Sequence, residues 1–209
     1  MAELGRIACR SACISLRLFD KVGELAVDLV DFAKSLFAKL RWEPRSGRND
    51  ITVTYDETTG RPIRAEGVIW DDYGQRTRGD NATQIGHLAG KGEGYDGGHL
   101  GAHRFYGDTP DEGITPQFAN LNRGAYSTME KEWGDWAKAG KEVEFSVDVD
   151  PPGQVVPDRF KVKYKAIDPA TGTQLHYKER VLRNAGGKQF KRLSRADIEK
   201  TIKNVLGGT

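Results

Sequence analysis

Residues 94–107 read GYDGGHLGAHRFYG, and residues 114–133 read ITPQFANLNRGAYSTMEKEW. His99 lies in a glycine-rich segment, and an Asn- and Gln-rich segment then leads into an amphipathic helix. Glycine lets backbone approach a ligand closely, and histidine can take a proton near neutral pH. Amide oxygens are hard ligands that suit magnesium. A lone loop histidine is more often structural than catalytic, so the order of these features matters more than any one of them.

Hydrophobic periodicity around this stretch predicts an α+β fold on an antiparallel sheet. Period-two alternation predicts strands at residues 51–55, 63–69, 143–149, 160–166 and 175–182, the first two forming a hairpin. Helical spacing predicts one helix over residues 125–139, ending at Gly140, and a last helix opened by Ser194 with a capping-box pattern. Residues 71–115 show little periodicity and are predicted to be a long functional loop.

The first 45 residues are predicted to be a helical leader or docking segment, and residues 46–209 a separate domain. Apolar residues from Val22 to Leu40 follow helical spacing, and the mixed charges between them favour packing against a core or partner over membrane binding. Cys9 and Cys13 would lie one helical turn apart, where packing is favoured over redox or metal chemistry.

Composition indicates a globular chain, with 37% hydrophobic and 30% charged residues. Because 32 Lys and Arg face 30 Asp and Glu, net charge favours no class of partner. Residues 159–192 are locally basic and would either meet phosphate or form a solvated strand face. We find no apolar run long enough to span a membrane and no signal-peptide pattern at the N-terminus.

The order of the motifs is similar to that of the DNA/RNA non-specific endonucleases with a ββα-metal core. Those enzymes carry Asp-Arg-Gly-His and then, roughly, Pro-Gln-x-x-x-Leu-Asn-x-Gly-x-(aromatic)-x-x-x-Glu. Here the motifs stand as Asp96-Gly97-Gly98-His99 and as residues 116–130, PQFANLNRGAYSTME. The resemblance covers about residues 50–183 and leaves the leader and the last helix unexplained. Glu132-Trp133 and the nearby Arg104 resemble the bacterial toxin-type branch.

The resemblance implies that His99 is the general base, that Asn122 ligates the metal and that Glu130 lies near the metal's water shell. The implied ion is Mg²⁺, with Mn²⁺ as an alternative. Asp96 and Gly98 would support the loop. The motif arginine is replaced by Gly97 here. Its phosphate contact could pass to one of four arginines, with Arg104 as the first candidate, namely Arg104, Arg123, Arg78 and Arg76. His99 and His103 could form a zinc pair only if their segment were helical.

The function implied is metal-dependent endonucleolytic hydrolysis of DNA and RNA, bound through backbone phosphates without regard to sequence. The branch implies an antibacterial toxin effector that is secreted or delivered into a target cell and is restrained by a cognate immunity protein. The alternative is a catalytically weakened module that binds nucleic acid or a partner on the same fold, which the loss of the motif arginine at Gly97 makes conceivable.

Overall fold

A computed structural model describes residues 41–42, 48–74, 82–106 and 113–207, all within one compact unit, Lys39–Thr209. The strands are β1 Arg41–Trp42, β2 Asp50–Tyr55, β3 Pro62–Ile69, β4 Tyr95–His99, β5 Ile114–Phe118, β6 Glu142–Asp150, β7 Arg159–Ile167 and β8 Gln174–Arg183. The helices are α1 Ala82–His87, α2 His103–Tyr106, a π-helix Leu121–Tyr126, α3 Ser127–Lys138 and α4 Arg195–Leu206.

Six antiparallel strands form the main sheet in the order β1-β2-β3-β6-β7-β8, and β4 pairs with β5 in a second, two-stranded sheet. The predicted α+β class, the hairpin and the three later strands are confirmed. Strand β1 falls inside the predicted leader yet pairs with β2. The boundary after residue 45 stays a prediction, and the predicted helix over residues 22–40 and the two cysteines lie outside the described residues.

Helix α3 packs its aromatic face on the main sheet. Met129, Trp133 and Trp136 are fully buried, and the Trp133 ring stacks on Phe145 of β6 at 4.9 Å between centroids. The stripe arises because side chains three and four residues apart share one helix face. The helix ends at Lys138, and Gly140 follows it with φ +73°. The predicted core helix and its stop are confirmed.

The loop predicted over residues 71–115 is wrong for much of its length. Helix α1, strand β4, helix α2 and the start of β5 lie within it. Strand β4 escapes a search for alternating apolar residues because its two buried residues are Gly97 and Gly98. Its pairing depends on backbone hydrogen bonds and close backbone packing, which leave no hydrophobic period in the sequence.

The basic face of β7 is paired with carboxylates. Lys161 lies 3.1 Å from Asp150, and Lys165 lies 2.8 Å from Glu144, both on β6. Residues Phe160, Val162 and Tyr164 alternate with these lysines and are buried. This part of the basic stretch is therefore a solvated strand face with its charge largely balanced. Among the described residues, no helix is long and apolar enough to cross a membrane.

A buried carboxylate ties the C-terminal segment to the core. Glu132 of α3 is fully buried and accepts hydrogen bonds from the Tyr164 hydroxyl at 2.5 Å, from Lys178 Nζ at 3.0 Å and from the Leu193 backbone at 2.7 Å. Burial alone would raise the pKa of Glu132. The contacts with His176, Tyr164 and Lys178 outweigh burial and lower this pKa to about 2. The folded state therefore favours the ionised carboxylate.

We predict that Glu132 makes stability depend on acid pH. Because its pKa falls from 4.5 to about 2 on folding, its contribution is complete above the ordinary value and is lost as pH falls towards 2. The loss should be on the order of 3 kcal/mol in the free energy of unfolding. Glu132→Gln should be less stable at pH 7, since Lys178 loses its partner, and its urea unfolding should depend less on pH over this range. Parallel pH profiles for both proteins would contradict the assignment.

Candidate functional site

The β4–β5 hairpin carries the glycine-rich motif. Its register pairs Asp96 with Gln117 and His99 with Ile114. His99 is the last residue of β4, so it lies on a strand and not in the loop that the glycines suggest. Gly98 leaves room for the fully buried Gln117, since a Cβ at Gly98 would lie 2.3 Å from Gln117 Cδ. Because Gly98 has no side chain, the Gln117 side chain can pack against its backbone in the hairpin.

Helix α1 packs directly on the backbone of β4 at Gly97. A Cβ at Gly97 would lie 2.0 Å from the carbonyl oxygen of Ala82, and a Cβ at Gly86 would lie 2.7 Å from the Gly97 nitrogen. Both distances are far below van der Waals contact, so neither position can carry a side chain in this packing. The motif arginine would not fit at this position, since α1 occupies the space that its side chain would need.

A π-helix carries the Asn of the second motif. Leu121–Tyr126 forms this turn and runs directly into α3, with the Ser127 backbone N–H bonding the Asn122 carbonyl five residues back. Leu121, Ala125 and Tyr126 are buried and fix the turn to the core, whereas Asn122 is half-buried and Arg123 is exposed. Short π-helical insertions occur frequently at functional sites, where they re-aim side chains.

The carboxylate of Asp96 joins the hairpin to the π-helix. It accepts a hydrogen bond from Asn122 Nδ2 at 3.0 Å and two from Arg123, at 2.8 Å from Nε and 2.6 Å from Nη2. These bonds raise the pKa of Arg123 above its ordinary value. The sequence assigned Asp96 to loop support, but the structure shows its side chain contacting two predicted site residues.

A second contact between these segments lies beyond His99. The Tyr126 hydroxyl, fully buried, donates to the Leu100 carbonyl at 2.9 Å. His99 therefore lies between two points, Asp96 and Leu100, at which its segment is bonded to the π-helix. Burial, and then the negative charge of Glu130, raise the pKa of Tyr126. Glu130 itself is half-buried on α3, eight residues after Asn122.

Arg104 is engaged elsewhere. Its Nε and Nη2 donate to the two oxygens of Asp72, at 2.9 and 2.5 Å, and Lys138 Nζ lies 2.8 Å from the same carboxylate. The Asp72 side chain is fully buried, and the Arg104 side chain is 20% exposed. The structure thus places Arg104 in an ion pair that joins α2 to α3 and does not bring it to Asp96. Its role at phosphate stays a prediction, and Arg76 and Arg78 lie outside the described residues.

The two histidines of the alternative zinc site, His99 and His103, do not lie on one helix. His99 ends a strand and His103, which is buried, begins α2, with 5.9 Å between the ring centroids. Within residues 48–74, 82–106 and 113–207, no group of three or more His, Cys, Asp or Glu side chains is placed to hold a metal. A zinc site built from several protein ligands therefore has no support in this part of the chain.

Asn122 fits a magnesium ion held mostly by water. The Asp96 carboxylate can only accept hydrogen bonds when ionised, so the amide nitrogen of Asn122 must face it. The amide oxygen is thereby turned away from Asp96 and is available as a hard ligand. Magnesium keeps several waters and needs only one or two protein oxygens, which matches a single amide oxygen better than a protein cage.

The sequence analysis did not find the contacts of two buried polar side chains. Asn184 accepts from the Phe118 backbone at 2.7 Å and donates to the Pro116 and Pro157 carbonyls at 3.0 and 2.9 Å. It thus fastens β5 to the end of β8. Asp72 holds Arg104 and Lys138. Each contact joins distant residues, and neither lies in a recognisable pattern.

Comparison with known proteins identifies the family. A family model described as DNA/RNA non-specific endonuclease matches residues 49–168. No curated protein sequence matches the chain significantly. The structure is similar to NucA from Streptococcus agalactiae with no metal bound, at 17% identity and TM-score 0.49, covering 67% of this chain and 72% of that one. It is also similar to the form with magnesium ion bound, at 16% identity and TM-score 0.48, covering 74% and 88%.

We predict that Gly97→Ala destabilises the hairpin while Gly124→Ala does not. The methyl group added at Gly97 would overlap the Ala82 carbonyl oxygen, whereas a Cβ at Gly124 has no neighbouring atom within 4 Å. Overpacking of this kind should lower the free energy of unfolding by about 3 kcal/mol. Replacing a helical glycine by alanine should be neutral or stabilise by up to about 1 kcal/mol. Urea unfolding measures both, and equal stabilities would contradict the close packing of α1 on β4.

Proposed function

Since the chain belongs to the DNA/RNA non-specific endonuclease family, which makes it a phosphodiester hydrolase, we propose that its site lies where β4 meets the π-helix. His99 acts there as general base, Asn122 binds one Mg²⁺ ion, and Glu130 lies near the ion's water shell. The observation that carries this proposal is the Asp96 carboxylate, which holds Asn122 and Arg123 against the strand that ends in His99.

The protein side of the reaction is proton transfer and positioning. The imidazole of His99 takes a proton from the water that attacks phosphorus, a step that contributes about 10²–10⁴-fold. The hydrogen bond from Asn122 to Asp96 fixes the amide so that its oxygen stays directed away from the carboxylate. A Mg²⁺ ion, when bound, supplies Lewis-acid stabilisation of charge on the phosphate and on the departing 3′ oxygen.

The substrate class follows from what the site can contact. The groups proposed to act are a general base and an amide oxygen, which contact water and phosphate and not the edges of nucleobases. Nothing in the mechanism uses a 2′-hydroxyl group. We therefore propose that DNA and RNA are both substrates and that binding weakens steeply with salt.

We predict that cleavage of plasmid DNA needs both a divalent ion and His99. Wild type should cut with Mg²⁺ or Mn²⁺ and stop with EDTA, and His99→Ala should lower the rate by at least about 10²-fold. Asn122→Ala should shift the magnesium dependence to higher concentration. Its metal binding is also measurable without substrate, by titration calorimetry.

The control is Asn204→Ala, on the exposed surface of α4, which should keep wild-type rate and magnesium dependence. A His99→Ala variant as active as wild type would overturn the general base. An unchanged magnesium titration in Asn122→Ala would overturn the ligand. A folded wild type that binds DNA without cutting it in any divalent ion would favour the binding module.

We also propose that the chain is a toxin effector, secreted or delivered into a target cell and neutralised by a cognate immunity protein. This proposal rests on the resemblance of Glu132, Trp133 and Arg104 to the toxin-type branch. Induced expression in the cytoplasm of a bacterial host should stop growth and degrade the nucleoid, and His99→Ala should not. Growth of the wild-type strain at the rate of the variant, with active enzyme in its lysate, would contradict toxicity.

A further inference from the structure

We propose that Arg123, held on Asp96, is the phosphate-binding guanidinium of this site and replaces the arginine that β4 cannot carry. The inference rests on the proposed nuclease function and names a contact that determines how the substrate backbone is held. Gly97 has no room for a side chain, because a Cβ there would lie 2.0 Å from the Ala82 carbonyl. A guanidinium at this edge of the hairpin must therefore come from another element.

The π-helix supplies one. Arg123 follows Asn122 directly, and both side chains bond the same Asp96 carboxylate. One carboxylate therefore holds both this guanidinium and the amide that is proposed to bind the metal. The Asp96 side chain is only 19% exposed, so it holds the Arg123 guanidinium in a defined position. A guanidinium beside a metal ligand suits an anionic phosphodiester, because the guanidinium and the ion on that ligand would both be positively charged.

Arg123 keeps donors for a ligand. A guanidinium has five N–H groups in a planar fork, and Asp96 takes one from Nε and one from Nη2. Three remain, on a side chain that is 75% exposed. A guanidinium is not deprotonated in proteins, so Arg123 can offer its positive charge to a phosphate. The ion pair therefore orients the fork and leaves an edge of it for phosphate oxygens.

Arg104 offers a contrast within the same fold. Its Nε and Nη2 also bind one carboxylate, but its side chain is 20% exposed, and Lys138 shares the fully buried Asp72 with it. This arrangement suits an ion pair that holds α2 and α3 together. Of the two arginines that the structure describes near the motifs, Arg123 is the one placed to meet a ligand.

The test measures DNA binding and cleavage separately for Arg123→Ala, Arg123→Lys and Arg195→Ala. Arg195, the first residue of α4, is the matched control. Its side chain is 72% exposed and donates to the buried Asp135 of α3 at 3.0 Å. Binding to a short DNA duplex is measured in EDTA across a salt series, so that it does not depend on cleavage. Cleavage is then measured with Mg²⁺, and thermal unfolding is recorded for each protein.

Arg123→Ala should reduce the slope of log affinity against log salt by about 0.9, the value for one lost phosphate contact. It should lower kcat/KM by about 10- to 100-fold, as expected for a lost bond to a charged group. Arg123→Lys should restore the salt slope and only part of kcat/KM, since it keeps the charge without the fork. Arg195→Ala should match wild type in both. Because each alanine variant takes an exposed arginine away from a more buried carboxylate, both variants should remain folded and lose similar stability.

Arg123→Ala with the salt slope and kcat/KM of Arg195→Ala would overturn the inference and leave the nuclease intact. A wild type that cuts nothing would overturn the proposed function instead. The salt series would still decide whether Arg123 contacts phosphate, since it needs no turnover.

Discussion

The site depends on one carboxylate shared between two elements. Asp96 stands on a short strand and bonds both Asn122 and Arg123 on the π-helix. Charge-assisted hydrogen bonds are shorter and stronger than neutral ones and favour one geometry. They orient the amide of Asn122 and the guanidinium of Arg123 and hold both beside the strand that ends in His99. A second bond, from the Tyr126 hydroxyl to the Leu100 carbonyl, also joins the π-helix to the segment of β4.

The rest of the fold makes this geometry rigid. Trp133 and its neighbours press α3 onto the six-stranded sheet, and the π-helix continues directly into α3. Asn184 fastens β5 to the end of β8 through two hydrogen bonds, and a third joins it to the Pro157 carbonyl. Helix α1 packs so closely on Gly97 that the second sheet has no space for a side chain there. The glycine at the motif position is thus required by this packing, and Arg123 is the replacement that we propose.

Periodicity predicts most of the main sheet, α3 and the capped helix α4, because these elements bury one face of large apolar side chains. It does not reveal β4, whose buried residues are glycines. Motif order predicts the family, which the family model confirms. It does not reveal that Arg104 is bound to Asp72 or that Asp96 bonds Asn122, because these contacts join residues at least 26 positions apart. Hydrogen-bond partners at such separations follow from the assembled fold and leave no local pattern.

The most direct test of the account is product analysis on end-labelled DNA and RNA oligonucleotides of one sequence, incubated with wild type and Mg²⁺. An attacking water activated by His99, with departure of the 3′ oxygen, leaves 5′-phosphate and 3′-hydroxyl ends. The account predicts such ends at most positions of both the DNA and the RNA oligonucleotide, with no dependence on the 2′-hydroxyl group. Cleavage of RNA alone, with 2′,3′-cyclic phosphate ends that form equally well in EDTA, would contradict it.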